Sequence, residues 1–165
     1  MKAFNDKTIN NNIVDKIDEN WRFWEFAINK EDSKLDRLLS DLYQEILNEE
    51  TCMKCSNCCE IFMPVITREE IFNISDVLKI DFEKFKKYFL EEVDEGFAIN
   101  KSPCHFLKNG CCSIYNNRPL TCRNYPINVE DEFSAKLINL IHAYEKCPVA
   151  LKIVEILKSY YIGEF

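Results

Sequence analysis

Apolar residues at Ile13, Ile17, Trp21, Trp24 and Ile28 recur every three or four positions, and Leu35, Leu38, Leu42 and Ile46 repeat the pattern. Charged and amide residues fill the gaps, so each run predicts an amphipathic helix with one face turned to a core. Together they predict an N-terminal helical hairpin over 12–50 with its turn near Lys30–Glu31. Ser33, with Asp36 in the first turn, suits the N-cap of the second helix, and Asp32 is its rival. The Trp and Phe rings on these stripes read as core packing rather than a cofactor box, because helical stripes ordinarily face a core.

Further along, Ile61 to Ile66 is β-rich but contains Pro64, which predicts a short edge strand or extended segment. Thr67 and Glu70 form a capping-box pair ahead of Ile71, Ile74 and Leu78. A following helix is predicted through Phe82, Phe85, Phe89 and Val93, ended by Gly96. Residues 102–126 read as loop. Residues 127–144 are ambiguous: Leu137, Ile138, Leu140 and Ile141 fit a helix, but the β-branched content favours a small β-hairpin ending near Cys147. Pro148 suits the first position of a last helix, with Ile153, Ile156, Leu157 and Tyr160 on one face.

Composition narrows the picture. With 165 residues, 47% of them hydrophobic, the chain suits one domain with an added helical segment, and its core needs no staple to fold. The nine Cys therefore require their own explanation. The net charge of -7 and the lack of any dense Lys or Arg run argue against nucleic acid or an anionic membrane as partner. Only three Gly occur, well separated, which excludes a P-loop and a GxGxxG fingerprint. The opening MKAFNDKTINNNIV lacks a secretory signal, and no apolar run reaches membrane-span length, so a cytoplasmic protein is expected. In that reducing setting clustered Cys read as metal ligands or redox groups rather than disulfides, and the odd count agrees.

The strongest signal is Cys52-x2-Cys55-x2-Cys58-Cys59. A two-residue spacer lets both sulfurs turn toward one metal, and three such Cys supply neighbouring corners of a cluster. The competing reading, small buried hydrophobes, does not explain two spacers in tandem. Cys58 and Cys59 are adjacent, so their side chains diverge by about 100° in a helix, which is awkward for one shared ion. A second group follows: Cys104, Cys111, Cys112 and Cys122, then Cys147-Pro148. A remote Cys-Pro completing a CxxCxxC set is a ferredoxin feature, which gives one grouping: Cys52, Cys55, Cys58 and Cys147 around an iron–sulfur cluster. Cys59, Cys104, Cys112 and Cys122 then remain as a tetrahedral zinc set. The spacing is not the CxxxCxxC of radical-SAM enzymes.

The tandem CxxCxxCC, Cys104-His-Phe-Leu107, and Cys112-Ser-Ile-Tyr115-x2-Arg118-Pro119-x2-Cys122-Arg123-x-Tyr125-Pro126 together resemble the YkgJ-type cysteine-cluster family of zinc- or iron-chelating domains. The resemblance covers about Cys52 to Cys147. It implies metal ligation by Cys52, Cys55, Cys58, Cys59, Cys104, Cys112, Cys122 and Cys147, with Cys111 as an extra residue. The family's usual Pro after Cys104 is His105 here; it reads as a partly exposed replacement ahead of a ligand. His142 reads as structural. A flagellin lysine methylase family carries a similar cysteine segment, which raises protein modification as an alternative. Arg118 and Arg123 flank Cys122 and have two readings, as cations binding the cofactor or an anion, or as donors to loop carbonyls. Tyr115, Tyr125 and Pro126 read as packing around the cluster loop.

The expectation is a mainly α (α+β) fold, with helices around a loop-rich, cysteine-ligated metal core and a small β element. The segments are 1–50, the helical hairpin, and 51–165, the cysteine-cluster domain. Three functions follow. One is a structural or electron-transferring metal protein holding zinc, iron or a 4Fe-4S cluster. The second is an iron–sulfur enzyme or accessory subunit that modifies a protein or small molecule. The third is a zinc-braced module for a protein partner. An all-thiolate set is closed and electron-rich, which disfavours hydrolysis.

Overall fold

Helices carry most of the chain, with two small antiparallel sheets among them. The structure is a computed structural model that describes residues 9–30, 33–47, 52, 55–94, 96–161 and 163–165, with side chains from residue 16 onward and not for Ser33. The expected contribution of Ile13, the turn at Glu31 and the choice of cap between Asp32 and Ser33 lie outside those residues. By contact the chain forms two compact units, 1–46 with 126–165, and 47–125. Residues 126–165, placed with the cysteine segment from sequence, thus group with the N-terminal helices.

The first unit contains α1 (Ile9–Asn29), α2 (Ser33–Ile46), α7 (Phe133–Ala143) and α8 (Pro148–Ser159). Both predicted N-terminal helices are present. In α2 the buried face runs Leu35, Leu39, Tyr43. In α1 it runs Asn20, Phe23, Ala27, whereas Ile17 and Trp21 of the expected stripe are 39% and 37% exposed. The rotation follows from Lys158, whose buried ammonium needs partners. Its Nζ donates to Asn20 Oδ1 at 2.9 Å and to Glu19 Oε1 at 2.6 Å, and pairs with Glu155 at 2.7 Å. An amide that looks like a surface residue in sequence is therefore drawn inside.

The β-hairpin expected over 127–144 is overturned: residues 133–143 form α7. Leu137, Leu140 and Ile141 are buried, and Lys136 reaches Asp36 of α2 at 2.9 Å. Apolar burial at i, i+3, i+4 outweighs the β-branched content. Pro148 does open α8, with Cys147 as its N-cap residue. Ile153 and Leu157 are fully buried there, but Tyr160 is 60% exposed and leaves the expected face.

The second unit begins with α3 (Asn57–Ile61), β1 (Val65–Ile66) and α4 (Arg68–Leu78). α5 (Phe82–Phe89), β2 (Leu90–Val93) and β3 (Gly96–Ile99) follow. The predicted capping box is formed: Glu70 N–H donates to Thr67 Oγ1 at 3.2 Å, and Thr67 N–H donates to Glu70 Oε2 at 2.7 Å. Thr67→Ala should lower stability by about 1 kcal/mol, read from the midpoint of urea unfolding, and an unchanged midpoint would contradict it. β1 is an edge strand next to Pro64, as predicted, in the order β1-β3-β2. The predicted helix through Val93 stops at Phe89 instead. Residues 90–93 pair with 96–99 from Leu90↔Ile99 to Val93↔Gly96, and Gly96, at φ 128°, serves this hairpin rather than a helix end. Asn100 Nδ2 donates to Leu90 O at 3.1 Å, capturing a carbonyl at the helix exit. Ile66, Ile71, Ile74, Phe85, Leu90, Ile99, Phe106 and Ile114 form the core, with Cys104 and Cys112 packed against it.

Short elements finish the unit: β4 (Leu107–Lys108), β5 (Cys111–Cys112), a 3-10 turn (Tyr115–Asn117) and α6 (Leu120–Arg123). The β4–β5 turn is Asn109-Gly110, with φ of 52° and 73°. Two successive positive φ values define the tight hairpin turn that this dipeptide favours. No helix among the described residues is long and apolar enough to cross a membrane.

Candidate metal centre

Three short pieces of backbone bring the cysteines together, all within residues 47–125. The segment bearing Cys52 and Cys55 leads through Ser56, in the left-handed region at φ 52°, into the single turn α3. Ser56 Oγ donates to Gly110 O at 2.7 Å, which ties this segment to the β4–β5 turn. Cys104 N–H donates to Cys59 O at 2.8 Å, and Ser102 Oγ donates to Glu60 O at 2.6 Å. The third piece, α6, carries Cys122, and Glu70 Oε1 accepts from Leu120 N–H at 2.6 Å. Glu70 thus caps α4 with one oxygen and fixes the start of α6 with the other.

These links surround a small cavity of about 50 Å³. Its lining includes Cys52, Cys58, Cys59, Cys104, Cys112 and Cys122, together with Ile99, Phe106 and Ile114 of the core. Cys58 and Cys59 both contribute to this lining although they are adjacent. Among the described residues Arg118 is the one charged residue in the lining, and no carboxylate or imidazole joins it there. A larger cleft of about 270 Å³ opens beside α4, but its walls carry no cysteine.

The remaining candidates lie elsewhere. Cys55 is half-buried and absent from the lining. Cys111 is exposed, and Cys147 belongs to the other compact unit. His105 Nε2 lies 2.7 Å from Asn100 Oδ1, and its ring meets Phe89 edge-on, so it is held beside the core rather than in the cavity. The Asn100 amide already donates to Leu90 O, so His105 Nε2 carries the proton of that contact. Burial, then Lys101, lowers the His105 pKa. Arg123 Nε donates to Arg118 O at 2.9 Å and lines the α4 cleft, which is the loop-carbonyl reading. Tyr125 packs on Phe62 at 5.7 Å between ring centres, and His142 meets Trp21 at 5.4 Å. Sequence reading missed the Asn109-Gly110 turn and the role of Glu70 beyond its cap; the dipeptide itself was the available signal for the turn.

Electrostatically the cavity favours neutral thiols while it holds no cation. Burial, then the neighbouring Cys58, Cys104 and Cys112, push Cys122 up to about 12. The hydrogen bond with Cys59, followed by burial, holds Cys58 far above the ordinary thiol range. Burial likewise raises Cys52, Cys104 and Cys112. Six cysteines in one lining, with no carboxylate or imidazole there among the described residues, form a chemistry suited to a thiophilic cation, and a buried Arg118 Nε–H finds no acceptor among the described residues. The donors are not closed around a point: among the described residues no three of Cys, His, Asp and Glu are arranged to hold one ion.

A profile of the CxxCxxCC family, described as a putative zinc- or iron-chelating domain, matches residues 51–147. The chain belongs to this family. It is also similar to an uncharacterized protein, MJ0661, of Methanocaldococcus jannaschii, with 33% identity over 84 residues. That match covers 48% of the chain and 45% of the relative, so the chain spans less than half of the relative's length. No solved structure matches.

Proposed function

We propose that this CxxCxxCC protein holds zinc or an iron–sulfur cluster on thiolates of Cys52, Cys58, Cys59, Cys104, Cys112 and Cys122, with Cys55 as a further donor. The observation that carries the reading is one cavity lined by six cysteines drawn from both halves of the motif. The cavity mixes residues of the two sets proposed from sequence, which supports one centre rather than two separate ones. Six donors exceed the four of a closed zinc site, so the centre is polynuclear or keeps spare thiols beside it.

At about 50 Å³ the cavity is of a size for an ion or small cluster. That size favours a structural or electron-transferring centre. The experiment is anaerobic purification with metal and sulfide analysis. An iron–sulfur centre gives brown protein with inorganic sulfide; a zinc centre gives colourless protein with stoichiometric zinc. Protein that binds neither, even after reduction and reconstitution, would sink the proposal.

A further inference from the structure

We infer that Arg118 is a positioning residue for the loaded centre, donating its Nε–H to a sulfur and supplying the cavity's counter-charge; this rests on the thiolate-centre reading above. Three observations meet at this side chain. Its Nε is buried without an acceptor among the described residues. Its guanidinium carbon sits 3.7 Å from the centre of the Tyr115 ring, which fixes the plane of the group. Among the described residues it is the one charged residue lining the cavity.

The backbone holds Arg118 on both sides. Its N–H donates to Tyr115 O at 3.4 Å, and its carbonyl accepts from Arg123 Nε at 2.9 Å. Pro119 follows and restricts Arg118 to extended backbone, as observed at φ -62°, ψ 149°. The two arginines of the motif thus have different tasks: Arg123 braces the loop, and Arg118 faces the sulfurs. A buried N–H goes unpaired rarely, and a thiolate sulfur in the adjoining cavity is the acceptor it lacks. A divalent ion on four thiolates carries a net charge of about -2, which a desolvated cavity tolerates poorly without a cation beside it. The guanidinium offsets that charge without competing as a ligand, since it has no lone pair to give.

The test uses the full chain, loaded with zinc alone and, separately, with ferrous iron and sulfide under anaerobic conditions. Whichever form the wild type holds stoichiometrically is challenged with excess chelator. Arg118→Gln is expected to release its metal roughly 10- to 100-fold faster, the usual cost of losing a supporting group, while the metal-free variant keeps its far-UV circular dichroism. Arg118→Lys keeps the charge but loses the planar Nε–H, so its release rate should fall between the two. Equal rates for Arg118→Gln and wild type would overturn the inference and leave the metal reading intact. If Arg118→Gln does not fold, Arg118→Lys decides, and a wild-type rate there overturns the Nε–H contact. A wild type that holds neither form removes the metal reading and this inference with it.

Discussion

Cys122→Ser is expected to strip the chain of its metal, whereas Cys111→Ser should leave the metal-to-protein ratio unchanged. The two residues are both free thiols eleven positions apart, so composition does not separate them. Their surroundings do. Cys122 lines the cavity, and its N–H is held by Pro119 O at 2.9 Å within α6. Cys111 is exposed on the outer side of β5. Serine is a harder, far less acidic donor that a thiophilic ion binds poorly. The loss of affinity for Cys122→Ser should exceed the roughly 100-fold typical of supporting groups. Elemental analysis after dialysis against chelator reads the result. Full metal content in Cys122→Ser would show that Cys122 is not a required ligand.

The second expectation is a steep and opposite response of the metal-free and loaded forms to pH. In the metal-free protein the Cys122 thiol is raised to about 12, and Cys52, Cys58, Cys104 and Cys112 are raised too. A folded-state pKa above the unfolded value means the neutral thiols favour folding. That contribution is complete below about pH 8.5, the unfolded thiol value, and is lost as pH rises toward 12. Metal binding works the other way, because each coordinating thiol must give up its proton. Near pH 7 all of these thiols start protonated, so a four-thiolate site should release about four protons and lose up to about four decades of apparent affinity per pH unit of acidification. Proton release in weakly buffered titrations, with zinc or ferrous iron as titrant, measures the number. Release of one proton or none would show that the thiols are ionised beforehand and that the cavity's burial has been misjudged.

What could be read from the sequence was whatever short-range physics decides. The capping box of Thr67 and Glu70, the edge strand beside Pro64 and the Pro148 helix start each depend on a few adjacent residues, and each is present. The misread parts depend on distant partners. α7 resembles a strand until Lys136 finds Asp36 a hundred residues away. β2 looks like the end of α5 until β3 and Asn100 capture it. Ile17 and Trp21 fit a core stripe better than Asn20 does, until buried Lys158 makes a polar partner worth having inside. For the site, spacing and family resemblance pointed to the cysteines. Spacing carried no information about which cysteines share a wall, nor about the different surroundings of Arg118 and Arg123, which lie on either side of Cys122 in the chain.

The turn at Asn109-Gly110 has a consequence for chemical selectivity. β5 offers two identical side chains in succession, and a strand points neighbours to opposite sides. Pairing Leu107 with Cys112 and Lys108 with Cys111 sends the first thiol of the pair to solvent and the second to the interior. A shift of one residue would exchange them. Two consecutive left-handed residues leave little latitude for such slippage, so a tight bend with no sulfur of its own decides which of two equivalent nucleophiles an alkylating reagent meets first.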